Sequence, residues 1–190
     1  MAGGEAAHRG AAPATPAYWA AAGAQGGGVM KTISLLQPWA TLAALGLKGI
    51  ETRSRPSSHR GQLAIHASKG FPVWARELCS LEPFRTALFG ENGRFTSHFD
   101  LPLGVVIATC QMTECCLIKK DGLYKLTPGQ PHWKPEYHGP LPEEPEHSFG
   151  DYTPGRYAYI WENPKLFPQP VPAKGQLGLW NWEPPEGVQS

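Results

Sequence analysis

The stretch Ile33-Ser34-Leu35-Leu36-Gln37-Pro38-Trp39, followed by Gly46-Leu47-Lys48-Gly49-Ile50-Glu51-Thr52-Arg53, decides how this chain reads. Residues 32–36 read as a short strand that Pro38 ends, because proline has no N–H to give to a ladder. Pro38 suits the first turn of a helix over residues 40–45, and Gly46 suits its C-terminal stop. Residues 50–54 read as a second strand. Successive strand side chains point to opposite faces, so Glu51 and Arg53 share one face while Ile50 and Thr52 take the other. Lys48, on the turn before that strand, converges on the same space. An indole, an amide, two cations and a carboxylate therefore gather where the chain turns. A carboxylate between two cations is held ionised and pinned in place. The set suits recognition of something flat and polar, such as a nucleotide. It also suits an exposed salt-bridge ladder on a sheet edge, which would contribute little.

Outward from this stretch the pattern is mostly strands. Residues 62–67 predict a third, with Leu63, Ile65 and Ala67 alternating against their neighbours. Residues 71–80 have helical character and 83–89 suit another short helical turn. Residues 104–112 form a strongly apolar central strand. Residues 157–162 form another, with Tyr157, Tyr159 and Trp161 on one face, and 177–182 close the domain. Between 127 and 154 lies a long insertion containing proline, glutamate and histidine; loops of that length tend to be functional or mobile. About six strands and two or three helices, without regular alternation, predict an α+β fold with a curved or barrel-like sheet.

With 190 residues, 41% of them hydrophobic, the chain suits one domain over residues 30–185 with a real core. Residues 1–29 differ: eighteen are alanine or glycine. Such a segment buries too little surface to offset its chain entropy, so a disordered extension is expected, with Met30 as a candidate initiator. A formal net charge of +1 argues against a nonspecific polyanion binder. The charge is uneven, however. Lys31, Lys48, Arg53, Arg55 and Arg60 face a single acid, Glu51, in the basic N-terminal region, whereas acids dominate residues 134–151. Four cysteines without a leader suggest reduced thiols and a cytoplasmic protein. No apolar run approaches the roughly 18 residues needed to span a bilayer.

Further side chains enter as candidates one at a time. Gln37 offers a donor and an acceptor to a base edge, and Trp39 offers either a stacking face or core packing. Arg60, in the Ser-Ser-His-Arg-Gly turn with His59, suits a phosphate or carboxylate contact or a plain solvated turn. Arg156 and Tyr157 open a strand. His66, inside a strand, suits a structural hydrogen bond. Cys110, Cys115 and Cys116 lack zinc spacing even with His147, His132 or His138 counted, so no metal is expected. No cofactor is expected either.

Taken in order, Ser34-Leu-Leu-Gln-Pro-Trp-Ala40, Gly46-x-Lys48-x-x-Glu51-x-Arg53, His59-Arg-Gly61, Gly155-Arg-Tyr-Ala158 and Lys174-Gly-Gln-Leu-Gly-Leu-Trp180 resemble the activating-signal-cointegrator homology (ASCH) domain family. The fold of that family is similar to the pseudouridine-synthase-and-archaeosine-transglycosylase (PUA) domain. The matches spread over residues 30–182. The resemblance implies a small PUA-like β-barrel with two or three flanking helices and a cleft. It also implies binding of RNA or of a modified nucleoside or nucleotide, through Gln37, Trp39, Lys48, Glu51, Arg53, Arg60 and Arg156. Some relatives resemble an amidohydrolase that removes an acetyl group from N4-acetylcytidine. In those a threonine stands where this chain has Glu51, and with the lysine it is thought to do the chemistry. Lys48 is kept here and the threonine is not, while Thr52 faces the other side of its strand. An enzyme on this plan would use Lys48 and Glu51, with Glu51 as general base on a water molecule. A metal-independent ribonuclease is a second catalytic form, with cations stabilising a phosphorane. A protein-interaction domain using residues 128–154 is a non-catalytic alternative.

Overall fold

Residues 28–90, 93–127 and 135–185 are described in the computed structural model. The expected N-terminal extension lies outside them except for residues 28 and 29, as do residues 128–134 of the insertion. In chain order come β1 (Met30–Leu35), α1 (Trp39–Ala44), β2 (Ile50–Arg53), β3 (Gly61–Ala67), α2 (Val73–Leu78), α3 (Phe84–Phe89), β4 (Val105–Lys119), β5 (Gly122–Lys125), β6 (Glu136–Gly139), β7 (Tyr157–Pro172) and β8 (Leu179–Trp182). The fold is α+β: the described residues form one eight-stranded sheet with three short α-helices.

The sheet runs β2-β7-β4-β3-β1-β8, with β5 paired to β4 and β6 to β5. Among the described strands only β1 and β3 pair in parallel, Ile33 opposite Ile65, and their connection carries α1 and β2. Three strands separate β2 from β1 in this order, yet Arg53 Nη2 on β2 donates to Ser34 O on β1 at 3.0 Å. One side chain spans that gap because the sheet curls round its own face, as the twist of strands favours. A small barrel-like fold is compatible with this curl. The inner face carries Ile33, Leu63, Ile65, Ile107, Met112 and Trp161, all buried. A second cluster, with Leu42, Phe84, Leu88 and Phe149, fills the space under the helices. Each of these large side chains contributes about 1.5–3 kcal/mol by leaving water.

β4 and β7 run well past residues 104–112 and 157–162, and they form the longest ladder. Its register shifts in three places, one where Glu162 and Lys165 pair with Gln111 and Thr109 around Asn163. Asn163 has φ of 53°, a left-handed conformation that asparagine tolerates. The insertion also holds more structure than its composition suggests: β6, and a one-turn 3-10 helix at His147–Phe149 whose Phe149 enters the core.

His66 on β3 has both ring nitrogens occupied. Nε2 lies 3.2 Å from Ala173 O and Nδ1 lies 3.1 Å from Ser34 Oγ, which also accepts from Trp180 Nε1 at 3.0 Å. A carbonyl only accepts, so Nε2 carries the proton and Nδ1 accepts from the Ser34 hydroxyl. Burial lowers the His66 pKa below its ordinary 6.5. The unfolded chain therefore takes up this proton first as pH falls. The stability that neutral His66 contributes is whole above pH 6.5 and is lost towards the folded pKa. Denaturant melts of the chain and of His66→Gln between pH 7.5 and 5 should show the stability gap narrowing by roughly 1 kcal/mol per pH unit once below that value. A constant gap would contradict this.

Candidate functional site

The end of α1 sets the position of Lys48. Gly46 adopts φ of 76°, and the N–H groups of Leu47 and Lys48 both return to Leu42 O, at 2.9 and 3.2 Å. A side chain at Gly46 would be strained there and would press on Pro164 at 3.2 Å. The tight turn sends Lys48 inward, where it is only 1% exposed. Trp161 holds the peptide from the other side, its Nε1 donating to Lys48 O at 2.9 Å and its backbone N to Gly49 O at 3.0 Å.

Lys48 Nζ donates to Ile50 O and stands 3.7 Å from Glu51 Oε2 and 3.8 Å from Glu146 Oε1. Burial pushes the Lys48 pKa below the ordinary 10.5, and the two carboxylates oppose that shift. Burial likewise raises the Glu146 carboxyl, opposed by Lys48. Glu146 is fixed by further donors: Gly49 N to Oε2 at 2.6 Å and the Tyr152 hydroxyl to Oε1 at 3.3 Å. Desolvation by burial, then Glu146, raises the Tyr152 phenol, so it donates at every physiological pH.

β2 presents Glu51 and Arg53 on one face as the strand period requires, Arg53 Nε lying 3.0 Å from Glu51 Oε1. Thr52 on the other face is buried, and its hydroxyl accepts from Asp151 N at 3.0 Å. Arg156 completes this stitching. Its Nη2 donates to Thr52 O at 3.2 Å, and its Nε meets Asp151 O at 3.1 Å and Oδ2 at 3.2 Å. Residues 146–156 are thereby fastened along β2, and between them and α1 opens a cleft of about 510 Å³. Trp39, Glu51, Arg53, Phe149, Asp151 and Arg156 are in its wall.

Four of the candidate residues, Trp39, Glu51, Arg53 and Arg156, therefore meet in one place. Trp39 also packs, its ring 5.8 Å from Trp74 and 5.9 Å from Phe84. Lys48 sits behind Glu51 and does not line this cleft. Gln37 and Arg60 are not among the residues that line this cleft. Gln37 is wholly buried: Oε1 accepts from Thr41 N at 3.1 Å and Nε2 donates to Pro102 O at 2.8 Å. The reason is local, because Pro38 caps α1 with no side-chain acceptor and the preceding glutamine fills that role. Arg60 donates to Ser57 O, His59 O and Leu126 O and pairs with Glu114, anchoring its turn to the far end of β4.

Glu146 and Tyr152 enter the site without having been marked in the sequence. A lone glutamate in a proline-rich insertion carries no local signal, and only the fold brings it beside Lys48. The thiols are buried and unpaired. Burial pushes Cys110 and Cys116 up to about 12, so they are unreactive. Among the described residues no three His, Cys, Asp or Glu side chains converge as a metal site, and no helix is long and apolar enough to cross a membrane.

No family model matches the chain. It is similar to activating signal cointegrator 1 of Homo sapiens, 26% identical over 148 residues that cover 78% of this chain and 21% of that protein. The protein of the same name from Mus musculus matches with the same identity and coverage. The chain thus spans about a fifth of the length of the curated relatives it matches. At this distance the likeness suggests an ASCH-related domain.

Proposed function

We propose that this chain is an ASCH-type module that binds RNA or a modified nucleoside or nucleotide in the cleft between α1, β2 and residues 148–156. The observation that carries the reading is the meeting of Trp39, Glu51, Arg53 and Arg156 around one cleft of about 510 Å³. That volume lies in the range that suits a single small ligand. Glu51 accepts and Arg53 donates from adjacent positions of one strand face, a pairing that matches the donor and acceptor groups on a base edge. Trp39 supplies a ring for stacking, worth about 1–3 kcal/mol per base. Arg156 and Arg53 supply guanidinium forks for a phosphate. Lys48 acts on the ligand only through Glu51, as a buried positioning residue. Fluorescence titration with short single-stranded RNAs at low salt should give saturable binding, and its absence would overturn the reading.

A hydrolase is the second reading, favoured by the Glu51–Lys48–Glu146 cluster. With Lys48 shut away from the cleft, the chemistry falls to Glu51 as general base on a water molecule. Incubation with N4-acetylcytidine, read by mass spectrometry, separates the two. Loss of the acetyl group that disappears in Glu51→Gln makes the cleft catalytic, and an unchanged substrate leaves binding alone.

A further inference from the structure

A second groove adjoins the first, and Ser34, Leu36 and Arg53 line both. It is larger, about 1110 Å³, beyond the upper end for one drug-sized ligand. The two differ in charge. The inner cleft has Glu51 and Asp151 beside Arg53 and Arg156, whereas among the described residues the outer groove is lined by Arg53, Lys69 and Lys174 and by no carboxylate. Lys69 and Lys174 are exposed, and among the described residues neither pairs with an acid.

The outer wall is built rather than loose. Ala173 N donates to Gly104 O at 3.1 Å and Gly104 N to Ala67 O at 2.8 Å, while His66 holds Ala173 O. Gly175 lies directly on the His66 ring, where a Cβ would come within 2.4 Å of Cε1. The backbone on either side of Lys174 is thereby held at the groove's edge. Further along the same loop Leu177 is 99% exposed, and Leu103, also partly exposed, lines the same groove. Cations without counter-charge beside bare apolar side chains suit a ligand that alternates phosphates with flat rings.

Resting on the nucleotide reading of the inner cleft, we infer that the ligand is a single-stranded oligonucleotide rather than a free nucleoside. One base enters the inner cleft, Arg53 takes the phosphate at the shared wall, and the adjoining phosphodiesters run along Lys69 and Lys174 with their bases against Leu103 and Leu177. Each phosphate neutralised by a lysine releases counterions and steepens the salt dependence.

The test measures affinity for the four 5′-ribonucleoside monophosphates, for rA, rC and rU oligomers of two to four nucleotides, and for a polyglutamate peptide. Affinity should rise with each added nucleotide up to three or four. In the Lys69→Ala, Lys174→Ala double variant oligomer binding should fall about fivefold per lysine, as expected for unit charges about 4 Å apart in water. The slope of log affinity against log salt should drop by about 0.7 per lysine, while monophosphate binding stays as it was. Monophosphates that bind as tightly as oligomers, or oligomer binding that ignores both lysines, overturn the groove and leave the inner cleft standing. Failure of every nucleotide to bind overturns both. Length-dependent binding of polyglutamate that depends on the lysines assigns the groove to acidic peptides instead.

Discussion

Lys48→Met should destabilise the fold by about 3–5 kcal/mol, the typical cost of removing one partner from a buried charge cluster. Methionine keeps most of the side chain's volume, so little of the loss comes from packing. It comes mainly from Glu146, which faces Lys48 Nζ at 3.8 Å and would lose its counter-charge where water is scarce, while Glu51, at 3.7 Å, would keep only Arg53. Against a typical total stability of about 5–15 kcal/mol the loss is large, and the melting temperature should fall by roughly 10–15 °C. The deficit should also depend on pH. Burial already raises the Glu146 pKa above the ordinary 4.5, and removing the cation raises it further. Above pH 4.5 the folded variant then holds more protons than the unfolded chain, so its stability falls as pH rises and recovers as pH falls. Urea melts at pH 5 and pH 8 should show the smaller deficit at pH 5. A loss under about 1 kcal/mol, or one that ignores pH, would mean that the cluster is solvated and Lys48 only a packed stem.

Local patterns announced β1, α1, β2, β3 and the starts of β4 and β7, but not how far those two strands run. Pro38 and Gly46 bracket α1 as their backbone preferences require, and the alternation of Leu63, Ile65 and Ala67 marks β3. β4 and β7 extend by many residues beyond their apolar starts because bulges reset the two-residue period. Cys115 and Cys116 are neighbours and both buried, which no regular strand with one wet face would give. Beyond residue 162, β7 moreover carries Pro164, Pro168, Pro170 and Pro172, each lacking a ladder donor, so that part of the strand has no strand signal in its sequence. β5 and β6 are four residues each, too short for any period to show.

The site divides along the same line. Glu51 and Arg53 were legible because two residues on one strand share a face whatever the fold. Lys48 was legible as a neighbour of Glu51 but not as a buried one, since its depth comes from Trp161, 113 residues away. Glu146 lies 97 residues from Gly49, which it binds, and no local rule connects them. Gln37 looked like a reader of ligands because its amide can donate and accept; those same two capacities serve Pro102 and the first turn of α1.

Glu51→Gln separates a site from a scaffold, and here the expected loss is in binding. The side chain keeps its shape and one acceptor, while the negative charge goes. Lys48 retains Glu146 at 3.8 Å and Ile50 O, and Arg53 retains Ser34 O at 3.0 Å, so neither cation is left bare. The melting temperature should therefore shift by only a few degrees, corresponding to about 1 kcal/mol. In the cleft, a ligand donor that met a carboxylate would meet a neutral amide. Hydrogen bonds to charged groups contribute about 1.5–3 kcal/mol, so affinity should fall roughly 10- to 100-fold. If Glu51 serves only to neutralise Arg53 and Lys48, the balance reverses. The fold would then lose several kilocalories, and RNA affinity would hold or rise, because removing an anion strengthens the positive field around the cleft. A thermal melt and an RNA titration on this one variant distinguish the two, and a large stability loss with unchanged or tighter binding would remove Glu51 from the site.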